Sequence, residues 1–155
     1  MSSPTPEFQV FLSYARPDAE TVQTVHQMLR ASGVTVWMDV ENLRGGAEWR
    51  CAIKKALRSS QLVLVFLSKQ IVAREGYLHE EILEALEVSR QKPPGKIFLI
   101  PVRIDNCPIH ERLEQFHCVS LFAENGPARL LRQIQECHRR YRLFDRRADL
   151  RDVSR

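Results

Sequence analysis

A glutamate beside an apolar helix face is the side chain best placed for chemistry in this chain. Apolar residues recur at helical spacing over residues 77–90, which predicts a helix that turns about 100° per residue. Its buried stripe comprises Leu78, Ile82, Ala85 and Leu86. Its solvated side carries Glu80, Glu84 and Glu87. Glu81 lies between these faces, where a partly desolvated carboxylate either does chemistry or is satisfied by a backbone N–H or an arginine.

Aromatic and cationic side chains close to predicted strand ends supply binding chemistry for such a carboxylate. Tyr14, Trp37 and Tyr77 offer faces that stack on a planar ring, and Arg16 offers a guanidinium that pairs with phosphate. A carboxylate beside them can hydrogen-bond ribose hydroxyls and stabilise the oxocarbenium-like transition state of glycosidic cleavage. Both residues also have a purely structural interpretation. Trp37 would then be half-buried in the core, and Arg16 would pair with an acidic residue on the surface.

The elements that must position these residues are short strands alternating with helices. The predicted strands cover residues 8–13, 34–38, 62–67, 97–102 and 118–121. The predicted helices begin near Pro17, Trp49, Tyr77 and Pro127. Asp18 is expected to cap the first helix and Gly33 to end it. Residues 62–67 are apolar throughout, as in a central parallel strand, whereas Pro101 indicates a strand end or an edge position.

This alternation predicts an α/β fold. It is a flavodoxin-like, doubly wound parallel five-stranded sheet with helices on both faces. Ligands of such sheets bind outside the carboxyl ends of the strands. The predicted cleft at that edge is lined by Tyr14, Arg16, Trp37, residues 39–48, Tyr77 and Glu81.

The length of 155 residues suits one domain with its own core. We expect a disordered lead at residues 1–7, a folded domain at residues 8–141 and a charged tail or linker at residues 142–155. No apolar run is long enough to span a bilayer, and residues 1–7 lack the apolar run of a secretion signal. The four scattered cysteines are expected to be reduced and mostly buried, as in a cytoplasmic protein.

Several common sites lack their motifs in this sequence. Gly45 and Gly46 follow a strand without the GxGxxG spacing or the lysine of a phosphate loop, and Ser13 and Ser68 lie in no GxSxG turn. The five histidines show no metal-ligand spacing, so we expect no metal. The arginine-rich C-terminal residues lack interleaved aromatics, so direct nucleic-acid binding is not expected.

Three segments in this order resemble the Toll/interleukin-1 receptor (TIR) domain, most of all its bacterial NAD⁺-cleaving type. Residues 11–16 (FLSYAR) resemble the family's first box, and residues 33–43 (GVTVWMDVENL) resemble its second strand and mobile BB loop. Residues 76–82 (GYLHEEI) are similar to the stretch in which an aromatic precedes the catalytic glutamate by four residues. The resemblance covers roughly residues 8–141.

The resemblance implies an NAD⁺ glycohydrolase or cyclase that cleaves the nicotinamide–ribose bond, giving ADP-ribose or a cyclic isomer. It makes Glu81 the catalytic residue and NAD⁺ the substrate, with no cofactor. The implied substrate-binding residues are Tyr14, Arg16, Trp37, Leu43 and Tyr77. Tyr77 stands where the family usually has tryptophan, and Ala15 stands where some relatives have a basic residue.

The family also implies activation by head-to-tail self-association with other TIR domains, in which a neighbour's BB loop completes the site. That assembly loop would comprise Asp39, Val40, Glu41, Asn42, Leu43, Arg44, Gly45 and Gly46. The implied setting is bacterial antiviral defence in the cytoplasm, with a sensor domain or an activator protein as further partner and no membrane contact.

Other interpretations stay open. A non-catalytic TIR domain would only recruit other TIR domains, although Glu81 argues against this because non-catalytic relatives often lack the acid. A protein that interferes with host immune signalling would use the same fold. The chain would also suit the effector end of a larger protein with a separate sensor domain.

Overall fold

The structure is a computed structural model that describes residues 8–38, 47–73, 80–92 and 97–153. Within these ranges, the side chains of residues 47–50, 53, 80–81 and 144–153 are outside the description. The predicted lead at residues 1–7, the predicted assembly loop and Tyr77 therefore lie outside the described residues.

Strands and helices alternate along the chain as predicted. The strands are β1 (Gln9–Ser13), β2 (Thr35–Met38), β3 (Leu62–Leu67), β4 (Leu99–Arg103) and β5 (Val119–Ser120). The helices are α1 (Ala19–Ala31), α2 (Ala47–Ser59), α3 (Lys69–Val72), α4 (Glu80–Arg90) and α5 (Gly126–Val153). Short 3₁₀ turns cover Arg16–Asp18 and Glu111–Leu113. The short helix α3 was not predicted, because one turn is too brief to show a helical period.

The five strands form one parallel sheet in the order β2-β1-β3-β4-β5. This is the strand order of flavodoxin-like doubly wound folds, so the predicted fold class is confirmed. All six residues of β3 are buried, as expected for the strand at the centre of the sheet.

Two apolar clusters cover the two faces of the sheet. One cluster packs α1 and α5 against β1, β3 and β4, through side chains such as Leu29 and Ile134. The other packs α2 and α4 against the opposite face, through side chains such as Leu57 and Ala85. Helices therefore cover both faces, because alternate side chains of a strand point to opposite sides of a sheet.

Pro101 is not at a strand end, because it is buried in the middle of β4, between β3 and β5. Backbone groups of successive residues alternate between the two neighbouring strands. The carbonyl of Arg103, two residues on, accepts from Leu121 N–H on the β5 side. Pro101 faces that same side, and the described pairing with β5 begins only at Val102. The proline's missing N–H therefore falls where the strand has a local edge, which is the condition that tolerates proline.

The last helix, α5, extends beyond the end predicted near Tyr141 and continues to Val153. Residues 142–153 contain no glycine or proline and include four arginines and two leucines, which favour helix. The division into domain and tail stays a prediction. None of the described helices, α5 included, is long and apolar enough to cross a membrane.

The cysteines are less buried than predicted. Cys107 is buried, Cys118 and Cys137 are half-buried, and Cys51 is exposed on α2. Cys51 lies on the solvated side of the amphipathic helix α2. The prediction missed this because it considered only the spacing between cysteines and not the helical period around each one.

Candidate functional site

The carboxyl ends of β1 to β4 meet at one edge of the sheet, because all of these strands are parallel. Tyr14 and Arg16 follow β1, Trp37 is the next-to-last residue of β2, and Ser68 follows β3. The structure therefore brings the first two segments of the predicted cleft to the same edge, which we call the carboxyl edge.

Trp37 is half-buried and belongs partly to the core, as its structural interpretation predicted. Its ring stacks on Phe11 of β1, with centroids 4.7 Å apart and an interplanar angle of 9°. The two residues are register partners in neighbouring strands, so their side chains point to the same face. That face is the one that α2 and α4 cover. A planar ligand at this position would contact the part of the indole that is exposed.

Tyr14 lies on the other face of the sheet. It is half-buried and packs against the cluster that α1 and α5 cover. Arg16 is exposed at the start of the 3₁₀ turn. Tyr14 and Trp37 are thus separated by the sheet, and a single ligand would reach both only by crossing the carboxyl edge.

The helix that carries Glu81 covers the same face as Trp37. Glu81 is the second residue of α4, and its side chain lies outside the description. Ile82, Ala85 and Leu86 are buried as predicted. Because α4 connects two parallel strands, it runs antiparallel to them and its first turn lies toward the carboxyl edge.

The prediction that Glu84 is solvated needs correction. Its side chain is only 25% exposed and lies 3.5 Å from the guanidinium of Arg58 on α2. The neighbouring helix covers it, which a single-helix projection does not show. Glu87 is exposed, as predicted.

The remaining predicted site residues lie outside the described parts of the chain. They are Leu43, Tyr77 and the other members of the assembly loop, Asp39, Val40, Glu41, Asn42, Arg44, Gly45 and Gly46.

A buried polar cluster at the carboxyl edge was missed by the sequence analysis. Asp18 is 5% exposed and Ser68 is 2% exposed. The Ser68 hydroxyl donates to Asp18 Oδ2 at 2.9 Å, and Gln70 Nε2 donates to Asp18 Oδ1 at 3.2 Å. Asp18 holds the N-cap position of α1 as predicted, but its side chain does not cap that helix. The signal that could have indicated this was a small polar residue, Ser68, directly after the most buried strand.

The first backbone N–H of α3 donates to a side chain that follows a different strand, β4. The backbone N–H of Lys69 donates to both carboxylate oxygens of Asp105, at 3.0 and 3.1 Å. Asp105 lies two residues after β4, so this contact joins the ends of β3 and β4. Arg103, at the end of β4, donates to the Cys107 carbonyl at 3.0 Å and to Asn106 Oδ1 at 2.6 Å.

The larger of two cavities found among the described residues lies away from the carboxyl edge. An open groove of about 1270 Å³ runs along α5. Its apolar lining includes Phe8, Ile97, Val119 and Tyr141. Its arginines are Arg129, Arg132, Arg139 and Arg140. A large apolar pocket is the default candidate for a binding site, so this α5 groove competes with the carboxyl edge.

The side chains of the α5 groove are poorly suited to catalysis. Glu136, the carboxylate among its described lining residues, lies 2.6 Å from Arg139 and 3.2 Å from Arg140. A hydrogen bond from Arg139 is the main reason that the pKa of Glu136 is lowered. Burial raises the pKa of the Cys118 and Cys137 thiols, which keeps them neutral and weakly nucleophilic. Cavity size therefore favours the α5 groove, whereas the chemistry of the side chains favours the carboxyl edge. We give more weight to the chemistry.

The family follows from comparison with known proteins. A family model described as the TIR domain matches residues 10–134. This chain belongs to the TIR domain family. The match covers β1 through most of the described core, including both covered faces of the sheet.

Known proteins similar to this TIR domain include an enzyme, a resistosome and a Toll-related receptor. The NAD(+) hydrolase PdTIR of Paracoccus denitrificans (strain Pd 1222) is 38% identical over 71 residues, which are 45% of this chain and only 24% of that protein. The TIR domains of the activated Roq1 resistosome, which directly recognises the pathogen effector XopQ, are 26% identical with a TM-score of 0.51; the match covers 64% of this chain and 58% of that one. The TIR domain of the Toll-related receptor TRR-2 from Hydra magnipapillata shares the fold at 16% identity and a TM-score of 0.60, over 81% and 97% of the two chains.

Proposed function

We propose that this TIR domain cleaves NAD⁺ at the nicotinamide–ribose bond, with Glu81 as the catalytic carboxylate. The observation that carries the proposal is the location of Glu81 in the first turn of α4, toward the carboxyl edge and on the sheet face of Trp37. The partial similarity to a protein named NAD(+) hydrolase supports the choice of substrate.

The chemistry needs one carboxylate. Nicotinamide leaves when the bond between ribose C1′ and the ring nitrogen breaks, and the electron pair goes to the nitrogen and neutralises its positive charge. No acid has to protonate this leaving group. Glu81 would accept hydrogen bonds from ribose hydroxyls and stabilise the positive charge that develops on the sugar. Water then adds at C1′ and loses a proton, or a nitrogen of the adenine adds to give a cyclic product.

The carboxylate must be ionised for this role, because only a negative charge stabilises an oxocarbenium-like transition state.

Binding of NAD⁺ would be shared among aromatic and cationic side chains. Trp37 would contact a planar ring of the ligand with the exposed part of its indole. Tyr77 and Leu43 would line the same cleft, and Tyr14 with Arg16 would contact the part of the ligand that crosses the carboxyl edge. The proposal includes no metal and no cofactor.

We also propose that self-association completes the site, with residues 39–46 of one TIR domain contacting the next. The similarity to TIR domains of an activated resistosome supports this, and it also supports a role in defence. A contact between different surfaces of identical copies propagates into open assemblies, so activity would rise with protein concentration.

The test is NAD⁺ consumption by wild type, Glu81→Gln and Glu84→Gln over a range of protein concentrations, with products separated by chromatography. Glutamine keeps the shape of glutamate and removes its charge. We expect Glu81→Gln to lower turnover by about 10²–10³-fold, the usual cost of losing one electrostatic stabiliser. Glu84→Gln changes a carboxylate that faces α2, one helical turn further on, and should retain turnover.

Full activity of Glu81→Gln would refute the catalytic assignment. Equal specific activity in dilute and concentrated wild-type protein would refute activation by assembly. No turnover by any of the three proteins, also under crowded conditions, would favour a TIR domain that only recruits other TIR domains.

A further inference from the structure

Two residues at N-cap positions bond to each other instead of capping their own helices. Asp18 is the N-cap residue of α1, and Ser68 is the N-cap residue of α3. Neither side chain makes a capping hydrogen bond. The Ser68 hydroxyl donates to Asp18 Oδ2 at 2.9 Å instead. Both residues are nearly inaccessible to solvent, so the contact is made inside the protein.

This arrangement opposes local preference. Aspartate and serine are among the best N-cap residues, and each such cap usually stabilises its helix by about 0.5–2 kcal/mol. A buried carboxylate without partners is also unfavourable, and here both oxygens have a donor, from Ser68 and Gln70. Departures from local rules with full hydrogen bonding are typical of positions that a functional site constrains.

The contact joins the two turns on which the proposed site depends. Asp18 ends the turn that carries Tyr14 and Arg16, and Ser68 begins the segment that leads from β3 toward Tyr77 and Glu81. The start of the turn is also held, because Ser13 pairs with Val65 of β3 and Tyr14 packs against the cluster under α1 and α5. Two backbone bonds support the rest of the turn, from Asp18 N–H to the Ala15 carbonyl at 2.9 Å and from Ala19 N–H to the Arg16 carbonyl. Both bonds are local, so the contact of Asp18 with Ser68 is what ties the end of the turn to the end of β3.

We propose that Asp18 is a positioning residue for ligand binding. Through Ser68 and Gln70 it holds the β1–α1 turn against β3 in the place where Tyr14 and Arg16 contact NAD⁺. This role rests on the proposed function, because NAD⁺ cleavage defines the ligand. It assigns Asp18 no contact with the substrate.

The chain offers a matched control. Asp105 also makes side-chain hydrogen bonds at the start of α3, to the N–H of Lys69, but it belongs to the β4 end and has no described contact with the β1–α1 turn. Removing the Asp18 carboxylate takes the acceptor of Ser68 and Gln70, and removing the Asp105 carboxylate takes the acceptor of the Lys69 N–H between them. Of the two carboxylates, only Asp18 belongs to the turn that carries Arg16.

The first measurement is the KM and kcat for NAD⁺ of wild type, Asp18→Ala, Asp18→Asn and Asp105→Ala. We expect Asp18→Ala to raise KM about 10-fold with a smaller change in kcat, since lost positioning of a binding turn weakens ground-state and transition-state binding alike. The amide introduced by Asp18→Asn can accept from Gln70 and donate to the Ser68 oxygen, so this variant should restore KM to within about threefold of wild type. Asp105→Ala should keep KM within about twofold while lowering stability.

The second measurement needs no turnover. Fluorotyrosine is incorporated at the three tyrosines, and the ¹⁹F resonance of Tyr14 is assigned by its absence in Tyr14→Phe. We expect the Tyr14 resonance to shift or broaden in Asp18→Ala and to keep its wild-type position in Asp105→Ala.

The outcomes separate the two proposals. An active wild type with an unchanged KM in Asp18→Ala, or an equal KM change in Asp105→Ala, overturns the positioning role. No turnover by wild type overturns the proposed function. In that case the Tyr14 resonance decides: an unchanged signal in Asp18→Ala overturns the positioning of the turn as well, and a shifted signal supports it.

Discussion

The carboxyl edge and the α5 groove differ in what holds their side chains. At the carboxyl edge, polar groups from separate strand ends bond to one another, as in the buried pair Asp18 and Ser68 and the more accessible pair Asp105 and Lys69. In the α5 groove, the main polar contacts are exposed arginines that pair with Glu136 on the same helix. Contacts between elements fix the elements relative to each other, whereas contacts along one helix do not. The carboxyl edge, whose side chains are better fixed, is therefore the better candidate for catalysis.

The two regions should differ most in how strongly substitutions there change the turnover of NAD⁺. The double variant Arg129→Gln/Arg132→Gln removes two positive charges from the α5 groove, where both side chains are exposed. If NAD⁺ binds at the carboxyl edge, this variant should keep kcat/KM within about twofold of wild type, while Glu81→Gln loses about 10²–10³-fold. The measurement is NAD⁺ consumption at matched protein concentrations.

A loss in the double variant comparable to that of Glu81→Gln would place the substrate in the α5 groove. Comparing the variant at low and high ionic strength controls for a general charge effect, because salt screens exposed charges and leaves a specific contact less affected.

A smaller effect is expected when the start of α5 is distorted. Gly126 is buried, and a Cβ at that position would meet the carbonyl oxygens of Ser120 and Leu121. Gly126→Ala must therefore shift backbone, and we expect a loss of about 1–3 kcal/mol of stability, as for other overpacked sites. The KM for NAD⁺ should stay unchanged at temperatures where the variant is folded. Thermal unfolding and the KM, measured together, test both parts.

Gly33→Ala is the control for Gly126→Ala. Gly33 ends α1 with φ of 79°, and an added Cβ would meet no atom within 4 Å. Its substitution costs backbone strain of about 1–2 kcal/mol without any clash. A KM that rises in Gly126→Ala and not in Gly33→Ala would show that the start of α5 supports the substrate site. That result would contradict the assignment of the site to the carboxyl edge alone.

The sequence predicted the framework of the site better than its supporting contacts. Strand β3 was predictable because six consecutive apolar residues suit a strand buried on both faces. The buried stripe of α4, with Ile82, Ala85 and Leu86, followed from helical spacing, whereas the position of Glu81 beside it stays a prediction. The contact between Asp18 and Ser68 joins residues 50 positions apart. A small polar residue after β3 could have indicated the place, but each residue alone favours a cap, so no local pattern indicated that the two would pair. The same limit explains Glu84, whose partner Arg58 comes from another helix.

The smallest expected effect is a pH dependence in the middle of α5. His138 stacks on Phe8, with centroids 4.7 Å apart and an interplanar angle of 12°. Burial, followed by the charge of Arg142, lowers the pKa of His138 below its ordinary value of 6.5. Between the lowered and the ordinary pKa the unfolded chain binds more protons than the folded protein, so stability falls as pH decreases through that window. The stabilisation from a neutral ring is fully present above the ordinary pKa.

His138→Phe keeps the aromatic stack and removes the titration. We expect equal stability of variant and wild type at about pH 8, and a wild type less stable than the variant at about pH 5.5, where the unfolded chain protonates the histidine. Urea unfolding at the two pH values measures this difference. His26, whose pKa burial also lowers, titrates in both proteins and cancels in the comparison. A variant whose stability falls with pH as steeply as that of the wild type would show that the His138 ring is protonated equally in both states. Turnover at a fixed pH should not respond, because this stack lies at the end of the α5 groove and not at the carboxyl edge.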